Sequence, residues 1–320
     1  MKVKSYAKIN LGLEVLRLRP DGYHDLRTLF QWVSLYDSIE FKPLSSSVLR
    51  LGGDDPSIPW DETNLVYRAA RLIQNRAGGR AGAELFVEKR IPAGRGLGGG
   101  SSNAAMTLWG LNALWGVGLS KPELEDLGRT LGSDVPYFLT GGLCLGEERG
   151  DVLTPLPDLA NLPVVLALPP FPVPTPRIYR NLDPASLTPA DKDSKMTGFL
   201  RTRNPGGLTN TLEETVFRFY PQLLEIKSLF REQGAALSLV TGTGSAVYGL
   251  FEDRGRAERC LAVLKERGEA VLVETVTRAQ GWDAIEIGVS PSGKAAGFGP
   301  AIRGFESSRP SGYKHAKRER

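Results

Sequence analysis

The chain has 320 residues, enough for two domains with cores of their own, and 41% of them are apolar, as in ordinary soluble globular proteins. Its longest apolar runs, such as residues 164–168, are too short to span a bilayer, and residues 1–5 lack the apolar centre of a signal peptide, so the expected setting is cytoplasmic, without membrane contact. The net charge of +4 sits at the far end, where Arg309, Lys314, Lys317, Arg318 and Arg320 face the single acid Glu319; residues 1–308 are neutral, which argues against nucleic-acid binding, and residues 306–320 read as a basic, disordered tail.

Residues 6–15 alternate: Ile9, Leu11, Leu13 and Val15 face one way, Lys8, Asn10, Gly12 and Glu14 the other, which predicts a strand with Lys8 and Asn10 on one face. Pro20-Asp21-Gly22 is a turn leading into Tyr23-His24. A helix is expected over residues 64–77 with Leu65, Ala69, Leu72 and Ile73 inward, then a strand over residues 83–91. Next comes Pro92-Ala93-Gly94-Arg95-Gly96-Leu97-Gly98-Gly99-Gly100-Ser101-Ser102-Asn103, with five glycines in seven positions. Ala104, Leu108, Leu111 and Trp115 then recur at helical spacing, so a helix is expected to start near Ser101.

Ser120-Lys121-Pro122-Glu123 reads as a capping box, followed by the stripe Leu124, Leu127 and Leu131 and a stop at Gly132. Asp134 then opens a short helix. Residues 155–176 contain eight prolines and read as a domain boundary, with a polar, mobile excursion at residues 183–209. The rest reads helix (221–233), strand (236–240), glycine loop (241–245), strand (246–251), helix (255–267) and strand (270–275): an α+β chain with mixed sheets, divided into residues 1–160, 161–305 and the tail. Cys144 and Cys260 lie in apolar stretches as buried free thiols, and two histidines, His24 and His315, do not make a zinc site.

A glycine-dense loop running into a helix start is an anion site, most often for phosphate, because the backbone approaches closely and the first helical amides are unpaired. Gly94-x-Gly96-x-x-Gly99 matches the dinucleotide fingerprint, yet no second strand and acid follow at the required distance. The loop has no Gly-Lys-Ser/Thr, and the chain has neither His-Arg-Asp nor Asp-Phe-Gly, which sets aside the Walker A and protein-kinase readings.

The stretch from Pro92 to Ala105 resembles the signature of the GHMP small-molecule kinase superfamily. Ala7-Lys8-Ile9-Asn10-Leu11 before it and Val240-Thr241-Gly242-Thr243-Gly244-Ser245 after it fall in the order that the superfamily shows. The resemblance implies a two-domain α+β fold, with an N-terminal ribosomal-S5-like α/β domain and a C-terminal ferredoxin-like α+β domain. Arg19-Pro20-Asp21-Gly22-Tyr23-His24, residues 132–138 and Pro174-Thr175-Pro176-Arg177-Ile178-Tyr179 resemble one branch, which phosphorylates a cytidine-diphosphate-linked methylerythritol on its 2-hydroxyl in the non-mevalonate route to isoprenoids. Homoserine and mevalonate kinases are not expected to carry the Arg19–His24 stretch; they remain the same-class alternative, beside a nucleotide-binding pseudokinase and a non-catalytic RNA-binding module. In Asn210-Thr211-Leu212-Glu213 the branch usually has Asp at the second position, so an acid's role there has no counterpart.

From its own stretch, Asp134 reads as an N-cap and Lys8 as a solvated lysine. The resemblance makes Asp134 the general base and Lys8 the cation beside it. It also implies ATP with Mg²⁺, the metal ligands being unidentified. ATP would be held by Pro92, Gly94, Gly96, Leu97, Gly98, Gly99, Gly100, Ser101, Ser102 and Asn103, with Asn64 and Leu65 walling the adenine. Ser101 doubles as N-cap in this reading. Asn10 would bond the polyol, Tyr23 and Tyr179 would stack on the cytosine, His24 would meet its edge, and Gly242 and Gly244 would approach the acceptor. Monomer and homodimer both remain open.

Overall fold

A computed structural model of the chain describes residues 1–159, 161–188 and 195–285; the expected tail and the end of the expected second domain lie outside the described residues. Two long antiparallel strands, β1 (Lys2–Leu18) and β2 (His24–Leu44), frame the first half. Their register pairs Lys8 with Trp32 and Asn10 with Phe30, and it shifts between Tyr6 and Ala7, between Asn10 and Gly12, and between Val15 and Arg17. Such shifts bend a strand and re-aim its side chains. β1 is buried on both faces through most of its length, so Lys8, read from its own stretch as solvated, is enclosed together with Asn10 and Glu14.

β2 also pairs with β4 (Gly82–Glu88) and β5 (Leu143–Glu147); β3 (Leu49–Gly53) lies parallel to β4, and β6 (Val152–Pro155) closes the other edge beside β5. Four helices complete this half: α1 (Leu65–Arg76), α2 (Gly99–Leu114), α3 (Lys121–Leu131) and α4 (Val135–Thr140). Asn64 caps α1 by accepting from the Val66 amide, and the capping box of α3 forms as its sequence requires. α2 starts two residues before Ser101: Gly98 is its N-cap in the left-handed conformation (φ +72°), so Ser101 is not the cap. Glycine alone takes that conformation without strain, which moves the helix start into the glycine run.

The proline-rich stretch expected as a boundary contains β7 (Pro163–Ala167), a strand buried along its whole length. β7 pairs with β9 (Val247–Leu250) and β10 (Ala270–Glu274), while β8 (Leu237–Val240) pairs with β9. The order β10-β7-β9-β8, antiparallel throughout, with helices between β7 and β8 and between β9 and β10, is the expected ferredoxin-like arrangement. Only the first sheet is mixed. α5 (Thr175–Arg180), α6 (Lys195–Thr202), α7 (Glu213–Phe219) and α8 (Gln222–Glu232) follow β7, and α9 (Arg254–Lys265) precedes β10. Within the expected excursion, α6 buries Met196 and Phe199.

Three apolar clusters stack through the molecule: the first between the first sheet and α1–α4, the second between the two sheets, the third between the second sheet and α5, α7, α8 and α9. The last helix among the described residues, α10 (Arg278–Ile285), returns to the first sheet, where Trp282 packs on Trp32 and Trp109. Residues Met1–Ile287 form one compact unit.

Candidate active site

The loop before α2 is pinned by its carbonyls. The Lys8 amide donates to Leu97 O (3.0 Å), Val173 to Gly94 O (3.2 Å), Ala246 to Arg95 O (3.2 Å), and the Thr241 hydroxyl to Gly96 O (3.1 Å). Four consecutive acceptors are thus satisfied by protein, while the first amides of α2 have no intrahelical acceptor. Two glycines are obligatory. A Cβ on Gly96 (φ +76°) would lie 2.1 Å from Thr241 O, and one on Gly98 would lie 2.7 Å from the Phe138 ring and 3.1 Å from Lys8 Cγ. The close approach of Gly98 to Lys8 sets the loop directly beside the expected catalytic lysine.

Lys8 is 4% exposed and reaches two partners: Asn10 Oδ1 at 2.6 Å and Asp134 Oδ2 at 3.7 Å. Its position above the Phe30 ring adds an apolar wall. Burial lowers the Lys8 pKa, and the carboxylate of Asp134 opposes that shift. Asp134 occupies the N-cap position of α4, but its side chain makes no capping bond, so the carboxylate is directed to Lys8 rather than spent on the helix. Asn10 is itself held: its amide donates to Thr28 Oγ1 (2.8 Å), and its backbone N–H donates to Thr241 Oγ1 (3.1 Å). With its carbonyl oxygen taken by Lys8, Asn10 orients the ammonium and keeps one amide hydrogen for a ligand.

A cleft of about 1130 Å³ runs from this centre in two directions, with Gly96, Gly98, Ser101, Asp134, Tyr179 and Gly242 among its walls. At one end a side pocket of about 280 Å³ is walled by Trp60, Asn64, Leu65, Ala93, Gly100 and Asn103. At the other end lie Tyr23, His24 and Tyr179. Tyr23 is 56% exposed with the Arg149 guanidinium 5.2 Å from its ring centre, whereas His24 packs against Tyr179 at 5.3 Å. The ring in contact with Tyr179 is that of His24. Burial raises the Tyr179 hydroxyl pKa and lowers that of His24, so both face the cleft uncharged at neutral pH.

Ser102 and Asn103 lie under the loop rather than along the main cleft. Ser5 Oγ donates to Ser102 Oγ (2.7 Å), and the Asn103 amide donates to Ser5 Oγ and to Asp37 Oδ2 (both 3.0 Å). Asp37 also accepts from Lys89 Nζ and from the amides of Arg90 and Ile91, at 2.7 and 2.8 Å. This buried network anchors the start of α2 and escapes sequence reasoning, because its members are scattered over residues 5–103 with no shared spacing. Gly244 sits behind Gly242: a Cβ there would meet Val240, Leu223 and Val173. At the departure noted in the sequence, the Thr211 hydroxyl accepts from the Val15 amide (3.3 Å), a structural bond that an acid is not needed to make.

Among the described residues, no group of three or more His, Cys, Asp or Glu side chains is gathered for a metal. Mg²⁺ brought by a nucleotide keeps waters and needs only one or two protein oxygens, and Ser101 and Asp134 both line the cleft. Among the same residues, no helix is long and apolar enough to cross a membrane.

Comparison with known proteins places these features in context. The GHMP kinases N terminal domain matches residues 64–142, and the GHMP kinases C terminal domain matches residues 197–270. The 4-diphosphocytidyl-2-C-methyl-D-erythritol kinase of Acaryochloris marina is 39% identical over 274 residues, covering 80% of this chain and 88% of that protein. That of Syntrophus aciditrophicus is 42% identical over 270 residues, covering 84% and 96%. A crystal structure of 4-(cytidine 5'-diphospho)-2C-methyl-D-erythritol kinase superposes with a TM-score of 0.76 at 39% identity, covering 86% of this chain and 99% of the other. A homoserine kinase from Cytophaga hutchinsonii, 19% identical with a TM-score of 0.66 over 88% and 96% of the two chains, shares the fold.

Proposed function

The chain belongs to the 4-diphosphocytidyl-2-C-methyl-D-erythritol kinases of the GHMP kinase family, and from that membership we propose that it transfers the γ-phosphoryl group of ATP to the 2-hydroxyl of 4-diphosphocytidyl-2-C-methyl-D-erythritol, giving the 2-phosphate and ADP. The observation that carries this reading is the adjacency of the glycine loop, Lys8 and Asp134 on one cleft. Residues 1–160 and 161–305 are assigned as the N- and C-terminal kinase domains, supported by the matched segments 64–142 and 197–270.

Phosphoryl transfer asks a protein mainly for positioning and charge neutralisation. The glycine loop and the first amides of α2 hold the phosphates, and the side pocket at Asn64 and Leu65 takes the adenine. Mg²⁺ arriving with the nucleotide would be held by an oxygen of Ser101 or Asp134 and would supply charge neutralisation to the phosphates. Asp134 accepts the proton of the attacking 2-hydroxyl as the new P–O bond forms and the bond to ADP breaks. Lys8, fixed by Asn10, holds the carboxylate in place and faces the charge of the phosphoryl in flight. Tyr23 and Tyr179 supply faces for the cytosine and His24 its edge contact, which sets the acceptor apart from homoserine and mevalonate. Two buried free cysteines accord with a cytoplasmic setting.

The test is incubation with ATP, Mg²⁺ and the cytidyl acceptor, with product identified by phosphorus NMR. The 2-phosphate and stoichiometric ADP are expected; no ADP above background ends the proposal. Phosphorylation of homoserine or mevalonate in preference would move the chain to a sister activity.

A further inference from the structure

We infer that Asn210 is a positioning residue for this transfer, holding the second glycine loop against Lys8 and Asn10; the inference rests on the kinase reading above. Asn210 is buried and stands outside the cleft, on the far side of residues 241–244. Its amide donates to Val240 O at 2.9 Å and to Gly242 O at 2.7 Å, so one side chain spans the entry of the loop. Its own oxygen accepts from the Leu212 amide at 3.0 Å, which fixes the rotamer. The neighbouring backbone is stitched to β1 on both sides: Leu13 N donates to Thr209 O (2.9 Å) and Thr211 N to Leu13 O (2.8 Å). Glu213, paired with Lys227, accepts from the Val240 amide at 2.9 Å. The loop is thus tied to the strand that carries Lys8 and Asn10.

The opposite side of the loop meets the reacting centre. A Cβ on Gly242 would lie 3.4 Å from Asn10 Oδ1 and 3.6 Å from Lys8 Nζ. The Thr241 hydroxyl accepts from the Asn10 amide and donates to Gly96 O. Without Asn210, the Val240 and Gly242 carbonyls lose a donor, and an unsatisfied buried acceptor re-orients toward another, which shifts the loop that lies against Lys8 and Asn10. Misplacement of a catalytic group by about 1 Å is enough to slow a reaction on the order of 10²-fold. The glycine loop before α2 keeps its independent bonds from Lys8 and Val173 to Leu97 O and Gly94 O, so nucleotide affinity is spared.

The experiment compares the parent, Asn210→Ala and, as a stability control in the same region, Val216→Ala. Val216 is buried in the third apolar cluster and lines neither the cleft nor the side pocket. Steady-state constants are measured for both substrates at a temperature where all three proteins are folded. Asn210→Ala is expected to lower kcat/KM for the cytidyl acceptor about tenfold or more, as for the loss of two buried hydrogen bonds, with KM for ATP unchanged within about twofold. Val216→Ala is expected to lower Tm and keep both constants. Parental constants in Asn210→Ala, or a KM for ATP raised as much as kcat/KM for the acceptor falls, overturn the inference. If Asn210→Ala does not fold, Asn210→Ser, which keeps one donor, is measured instead; an intermediate acceptor defect supports the inference and parental constants overturn it. A parent inactive on the cytidyl acceptor removes the kinase reading itself, and this inference with it.

Discussion

Lys8 shows how one buried charge organises the centre. Its ammonium is enclosed, its pKa is lowered by burial, and Asp134 and Asn10 are its partners. In the proposed mechanism the active form is the cation, so activity is expected to be lost as pH rises through a pKa below the ordinary lysine value of 10.5. The pH profile of kcat/KM, which reports on the free enzyme, is therefore expected to bend downward on its alkaline side before an unperturbed lysine titrates. A profile flat to that point would detach Lys8 from the chemistry. At the acceptor end, Tyr23→Ala and Tyr179→Ala are each expected to cost about tenfold or more in kcat/KM for the cytidyl acceptor while ATP affinity holds, since base–aromatic stacking is worth roughly 1–3 kcal/mol. Competition assays against an acceptor without the cytidine read this directly; undiminished preference in either variant contradicts the assignment.

The elements were unevenly legible in the sequence. α3 was written in its capping box and stripe, and the strand around Lys8 in its alternation. β2 was missed because Arg27, Asp37, Glu40 and Lys42 break its pattern; Asp37 is buried against Lys89, a pairing that no periodicity reveals. β7 hid in a proline-rich stretch because a strand covered on both faces reads as a plain apolar run. The start of α2 was placed late, since helical glycines carry no helical signal. That start is testable. Gly98→Ala forces a side chain into a left-handed backbone position, a strain of roughly 1–3 kcal/mol, and into contact with Phe138 and Lys8. Its expected result is ATP binding weakened about tenfold or more in a calorimetric titration; parental affinity would show that the loop does not need this conformation.

At the scale of the molecule, the chain closes on itself. Its last described segment returns from the second sheet to the first through the Val276 amide, which donates to Trp32 O (2.9 Å), and through Arg278, which donates to Gly141 O (3.1 Å) and Leu143 O (2.9 Å). Arg278→Ala removes both guanidinium bonds, leaving Gly141 O with the weak Cys144 thiol donor and Leu143 O with the Leu156 amide, and is expected to cost about 2 kcal/mol of stability. The check is a lowered denaturant midpoint with kcat retained; an unchanged midpoint would make the strap incidental. The acceptor end, the glycine loop and the Lys8–Asp134 pair meet only because strands far apart in sequence are brought to one cleft, which is why motifs point to the candidate residues while their mutual geometry is not legible in the sequence. The central claim is that Asp134 takes the acceptor's proton beside that loop. It is tested by single-turnover phosphoryl transfer in Asp134→Asn, together with its ATP dissociation constant. A rate lowered about 10²-fold or more at unchanged ATP affinity is predicted; transfer at the parental rate would contradict it.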